Sequence, residues 1–133
     1  MRSIYFPPLA SLLLMVVSLG CKKDNKTTQE PEQDLVISTN MAALNTTPGS
    51  DFTFNLNMES LMPVSGVRIV SEVKAEADNQ IYPQGTGIET TNKVATVNIR
   101  NLPRQKICVC TVSVTSKSKS TNTATTSFRV VYK

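Results

Sequence analysis

Histidine is absent from the 133 residues, and so is tryptophan. The first absence removes the commonest general base, the commonest metal ligand and the usual partner of a Ser or Cys nucleophile, so most familiar active sites cannot be assembled here. No enzymatic activity and no cofactor is expected. Aromatic residues are scarce, three Tyr and four Phe, which leaves little from which to build a stacking platform for sugars or single-stranded nucleic acid. The 14 Lys and Arg against 10 Asp and Glu give a net charge of +4, well short of the dense basic surface of a nucleic-acid binder. No nucleic-acid partner is expected. Long apolar runs are missing too: the stretch Leu9 to Val17, broken by Ser11, falls short of the ~20 residues that cross a bilayer.

That stretch has another use. Met1-Arg2 supplies a positive start, and the apolar run that follows Pro7-Pro8 matches the ~7 to 15 residues of a signal-peptide core. It is followed by Ser18-Leu19-Gly20-Cys21 and then Lys22-Lys23-Asp24-Asn25. This junction resembles a bacterial lipoprotein signal, in which small residues precede a cysteine that is diacylated and becomes the mature N-terminus. The resemblance implies cleavage between Gly20 and Cys21, lipid on Cys21, and a membrane partner reached through that lipid. The Cys-Lys-Lys-Asp start is similar to lipoproteins of the Bacteroidota, in which a Lys-Asp step after the cysteine resembles a surface-export signal. The expected location is the cell envelope, at the outer membrane, with the periplasmic and outer faces both open. Two or three acyl chains anchor stably where one gives only marginal binding, at ~0.8 kcal/mol per buried CH₂.

Residues 22–33 contain no Leu, Ile, Val or aromatic side chain, and cannot bury enough apolar area to offset the entropy of ordering them. The reading is a signal peptide over 1–20, a lipid-anchored flexible tether over 21–33 and one domain over 34–133.

Within that domain the dominant period is two. Phe52, Phe54, Leu56 and Met58 alternate with polar residues, as do Ala95, Val97 and Ile99, while Cys108, Cys110, Val112 and Val114, and Phe128, Val130 and Tyr132, keep the same spacing. Leu35 to Ser38, Val67 to Ala77 and a short Gln80 to Pro83 segment add further strands, and Pro48-Gly49, Asp78-Asn79, Gly85-Thr86-Gly87 and Ser120-Thr121-Asn122 supply turns. Six or seven antiparallel strands without a helix-period segment predict an all-β sandwich. Leu102-Pro103 ahead of the strand near Cys108, a Lys/Ser/Thr hairpin and the closing Phe128-Arg129-Val130-Val131-Tyr132-Lys133 resemble the end of fibronectin type III and related Ig-like modules, which implies an Ig-like sandwich.

Cys108 and Cys110 form the one sulfur pair left once Cys21 carries lipid. Two thiolates are half a zinc site, but the other ligands would have to be carboxylates or a second chain. In a flat strand residues i and i+2 stand ~6.5 to 7 Å apart with parallel side chains, at the edge of disulfide geometry. A pair of buried thiols acting as small hydrophobes and a strained disulfide are the two readings. Glu72, Lys74 and Glu76 fall on one strand face, where the two Glu would stand ~13 Å apart, too far for paired glycosidase carboxylates. From residue 100 onward Arg100, Arg104, Lys106, Lys117, Lys119, Arg129 and Lys133 face no acid in sequence, whereas Asp51, Glu59, Glu72, Glu76, Asp78 and Glu89 crowd the preceding part. This predicts a polarised surface, available to an envelope protein or glycan partner. The expected role is a non-enzymatic binding or accessory module of the envelope, with a small subunit that stabilises a larger envelope assembly as the alternative and an enzyme as a remote one.

Overall fold

The computed structural model describes residues 30–133, so the signal and lipidation segment through Cys21, and most of the tether, lie outside the described residues. Nine strands follow: β1 (Ile37–Thr39), β2 (Leu44–Thr47), β3 (Phe52–Met58), β4 (Val67–Ala75), β5 (Ile81–Tyr82), β6 (Ile88–Thr90), β7 (Val94–Ile99), β8 (Ile107–Ser116) and β9 (Thr123–Tyr132). They form a β-sandwich. One sheet has the order β1-β3-β7 and the other β2-β9-β8-β4-β5, with β6 also pairing β4.

The period-two segments build its inner faces. Phe54, Leu56 and Met58 of β3 and Ala95, Val97 and Ile99 of β7 are buried, as are Cys108, Cys110, Val112 and Val114 of β8. Their alternate neighbours face outward. On the outer face of the larger sheet those neighbours are hydroxyls, paired across β8 and β9 as Thr111 with Ser127, Ser113 with Thr125 and Thr115 with Thr123. Phe54 and Phe128 join the two sheets at 4.8 Å between ring centroids, edge to face, with Phe52 stacked 6.4 Å from Phe54.

Three features depart from the sequence reading. There are nine strands rather than six or seven, and β2 runs parallel to β9, so the arrangement is not antiparallel throughout. β2 carries one apolar residue in Leu44-Asn45-Thr46-Thr47, and its existence rests on backbone bonds to β9 rather than on burial. The chain switches sheets between β1 and β2, held by Asn45, whose amide bonds Ala42 O and Arg129 O at 2.8 and 3.1 Å. Finally, β9 begins at Thr123, well before the apolar alternation at Phe128, because the hydroxyl pairs sustain its first half.

That sheet switch closes one side of the sandwich. On the other side β7 ends one sheet and β5 with β6 ends the other; these edges are not paired as strands, and side chains of Gln84 and Asn101 bridge them only past the end of β7. β5 and β6 are one edge strand interrupted by residues 83–87, five residues facing the three of β4 between Ile69 and Val73. This two-residue surplus bulges outward. Gly87 makes the bulge possible: its φ is +86°, and a Cβ there would overlap the carbonyl oxygen of Ile69.

Candidate functional site: the open seam and the N-terminal clasp

Cys108 and Cys110 lie on the inner face of β8 with no measurable exposure, unbridged. Register sets Cys110 between Val73 and Phe128, and Cys108 between Ala75 and Val130. Desolvation pushes both thiols up, that of Cys110 to about 12; at Cys108 the Lys106 ammonium opposes the shift. A buried thiol held neutral is a poor nucleophile at physiological pH. Among the described residues no group of three or more Cys, Asp or Glu is placed to hold a metal ion.

The acids on β4 are occupied separately. Glu72 pairs with Lys74 at 2.9 Å along its own strand, whereas Glu76, just past the strand end, pairs with Arg129 at 2.7 Å. They share no recess. Lys106 likewise meets Asp78 at 3.1 Å and Lys117 meets Glu89 at 2.6 Å. Three of the seven cations from residue 100 onward thus join acids of the preceding part, so folding partly neutralises the polarity read from the sequence. These pairs are exposed, each worth ~0 to 1 kcal/mol, and they blunt the dipole more than they stabilise the fold. Arg100 joins no ion pair among the described residues.

No protein-family model and no curated protein matches this chain.

Between the two open edges runs a groove of about 260 Å³ with Ile69 and Ser71 of β4, Gln84, Thr86 and Gly87 of the bulge, Ile88 of β6, Thr96 and Asn98 of β7, and Arg100 just past its end. The alternation of antiparallel bonds fixes which backbone groups face it. Met58 N–H donates to Lys93 O at 2.7 Å, and with Leu56 opposite Ala95 and Phe54 opposite Val97 the odd-numbered residues of β7 bond β3. The N–H and C=O of Val94, Thr96, Asn98 and Arg100 then point into the seam. At Arg100 both are already taken, N–H donating to Gln84 Oε1 at 2.8 Å and C=O accepting from Gln84 Nε2 at 2.6 Å. A side-chain amide sits there as one peptide unit of an added strand would. Arg68 fixes the bulge through Thr86 O at 2.8 Å. Among the described residues no hydrogen bond occupies the seam-facing main chain of Thr96 or Asn98, or the Ser71 hydroxyl.

The second feature concerns how the chain enters the domain. Asn122, 5% exposed, accepts from Leu35 N–H at 2.8 Å and donates to Gln33 O at 2.9 Å and Glu32 Oε1 at 2.6 Å. Ser118 also donates to Glu32, and these hydrogen bonds, led by that of Ser118, hold the Glu32 carboxyl below its usual range. Gln33 in turn accepts from Leu61 N–H at 3.1 Å. Glu32 and Gln33, the last two residues of the segment read as tether, are therefore held against the domain. The chain enters at the end that carries the β3–β4 and β8–β9 loops.

Asn122→Ala should leave the Leu35 N–H and Gln33 C=O without their partners, at ~1 to 3 kcal/mol. The domain should melt lower, and limited proteolysis should cut faster around residues 30–36. Unchanged protection there would show that the clasp does not hold the segment.

Proposed function

We propose that this chain is a lipid-anchored protein of the cell envelope, with its sandwich in a non-enzymatic binding or structural accessory role. The observation that carries this reading is the clasp: Asn122 fixes the lead-in segment at one end of the domain, so pull from a lipid on Cys21 is taken up by a defined point of the fold. The segment from Cys21 to Glu32 reaches up to ~40 Å when extended, enough to stand a small domain clear of lipid headgroups. The groove then lies along the side of the sandwich, away from the anchored end. The strand order, with the first strand split between sheets, supports assignment to the Ig-like modules, whose edges and loops serve as contact surfaces.

Cys21→Ser decides the anchoring. Radiolabelled palmitate should enter the wild-type chain and not the variant, and the variant should accumulate as an uncleaved or mislocalised precursor. Label retained by the variant would overturn the reading. Protease added to intact wild-type cells removes the domain if it faces outward and spares it if it faces the periplasm.

A further inference from the structure

The geometry points to the seam as a binding site for one extended polypeptide segment, added as a fourth strand to β7 and bearing an acidic group beside Arg100. The inference deepens the binding role proposed above and names its ligand class.

Three observations converge on it. First, Thr96 and Asn98 each present toward the groove an N–H and C=O with no partner among the described residues, two residues apart, and this repeat matches the main chain of an extended peptide. Exposed edges of this kind are usually blunted or covered; here the cover stops at Arg100. Second, the one position of this edge that is covered is covered by an amide. Gln84 engages both main-chain groups of Arg100, and a peptide lying along the groove continues the pattern at Asn98 and Thr96. Third, Arg100 is the cation that lines the groove, and like Arg104, Lys119 and Lys133 it joins no ion pair among the described residues, so an Asp, Glu or terminal carboxylate of the incoming segment finds an uncommitted cation there.

The shape of the seam selects a single strand over a second copy of this domain. The groove is bounded on its far side by Gln84, Thr86, Gly87 and Ile88, so a sheet that brings its own partner sheet meets the bulge before its edge reaches β7. With about 260 Å³ available, one inward-pointing side chain of aliphatic size fits over Ile69 and beside the Ser71 hydroxyl. The expected ligand is therefore a short extended segment with one aliphatic residue turned inward and an acid near Arg100.

The test uses the full chain purified in detergent and a displayed library of random short peptides, with selected sequences synthesised and measured by fluorescence anisotropy. Main-chain pairing has a parity that other binding modes lack. N-methylation of the peptide residues whose N–H groups point at β7 should weaken binding by about tenfold or more per site, whereas methylation of the alternate residues should leave it within about twofold. Asn98→Pro removes one seam-facing N–H and the Thr53 hydroxyl's bond to the Asn98 side chain, while every β3–β7 main-chain bond survives, and should weaken binding similarly. Should that variant fail to fold, amide exchange on the wild type carries the same information: the Thr96 and Asn98 amides should exchange fast in the free protein and slow on binding, while Ala95 and Val97 stay protected throughout. Arg100→Gln should reduce affinity for acidic peptides and spare neutral ones. Parity-blind binding, unchanged exchange at Thr96 and Asn98, a dimer in place of a peptide complex, or no selected peptide at all would overturn the inference. None of these touches the anchoring, which palmitate labelling of Cys21 decides separately.

Discussion

Phe54→Ala should cost the domain ~3 to 5 kcal/mol, the usual range for emptying an aromatic site in a packed core. Phe54 is 4% exposed on the inner face of β3, and its ring meets Phe128 of the opposite sheet at 4.8 Å and 76°. It is one of few large side chains that span both layers, since β8 contributes Cys and Val to the interface and β7 contributes Ala, Val and Ile. Those smaller groups cannot move into the vacancy without pulling strands off their register. Domains of this size have ~5 to 15 kcal/mol in total, so the variant should lose a large fraction of its stability and melt on the order of 15–25 °C lower. Urea unfolding measures it directly, with the midpoint falling and the slope unchanged. Phe52→Ala, at a half-buried position, should cost less. Equal costs at the two positions, or a loss below ~1 kcal/mol at Phe54, would contradict an aromatic cluster that bridges the layers.

The same interface explains how much of the fold the sequence made visible. β3, β7 and β8 are half-buried strands whose inner faces are apolar and outer faces polar, and their period of two marks them directly. β2, β6 and the first half of β9 leave no such mark. β2 and β6 lie at edges and depend on a neighbour's backbone, and Thr123 to Ser127 are held by hydroxyl partners on β8, which composition reads as a polar hairpin. The seam was hidden for a related reason. Gly85-Thr86-Gly87 reads as a turn, and the surplus over β4 that makes it a bulge is a property of register, visible only once both strands are paired. Gln84, Thr96 and Asn98 carry no motif. Asn122 was legible as a turn residue, but its bonds to Leu35 and Gln33 span nearly the whole domain and have no local signature.

The thiol pair was legible, and its chemistry gives the second large effect. Unfolded, the Cys110 thiol loses its proton around its ordinary value of 9.0, whereas in the folded core it keeps the proton to about 12. Between those values the unfolded chain binds fewer protons than the folded one, so rising pH favours unfolding. The contribution is intact below pH 9 and disappears as the pH climbs toward 12, at ~1.4 kcal/mol per unit. Lysines and tyrosines titrate in the same window, so the quantity to measure is the difference between wild type and variant. Cys110→Ala should unfold at lower urea than wild type near neutral pH, by ~1 to 2 kcal/mol for the lost packing, yet its stability should fall less steeply above pH 9, and the two curves should converge or cross. Cys110→Ser should share the shallower alkaline slope but start lower, because a hydroxyl buried among Val73, Val112 and Phe128 without a partner adds ~1 to 3 kcal/mol. Neither thiol should react with iodoacetamide in the folded chain at neutral pH, and both should react in urea. Ready alkylation of the folded protein, or identical alkaline slopes for wild type and Cys110→Ala, would mean that the pair is reached by solvent and is not part of the core.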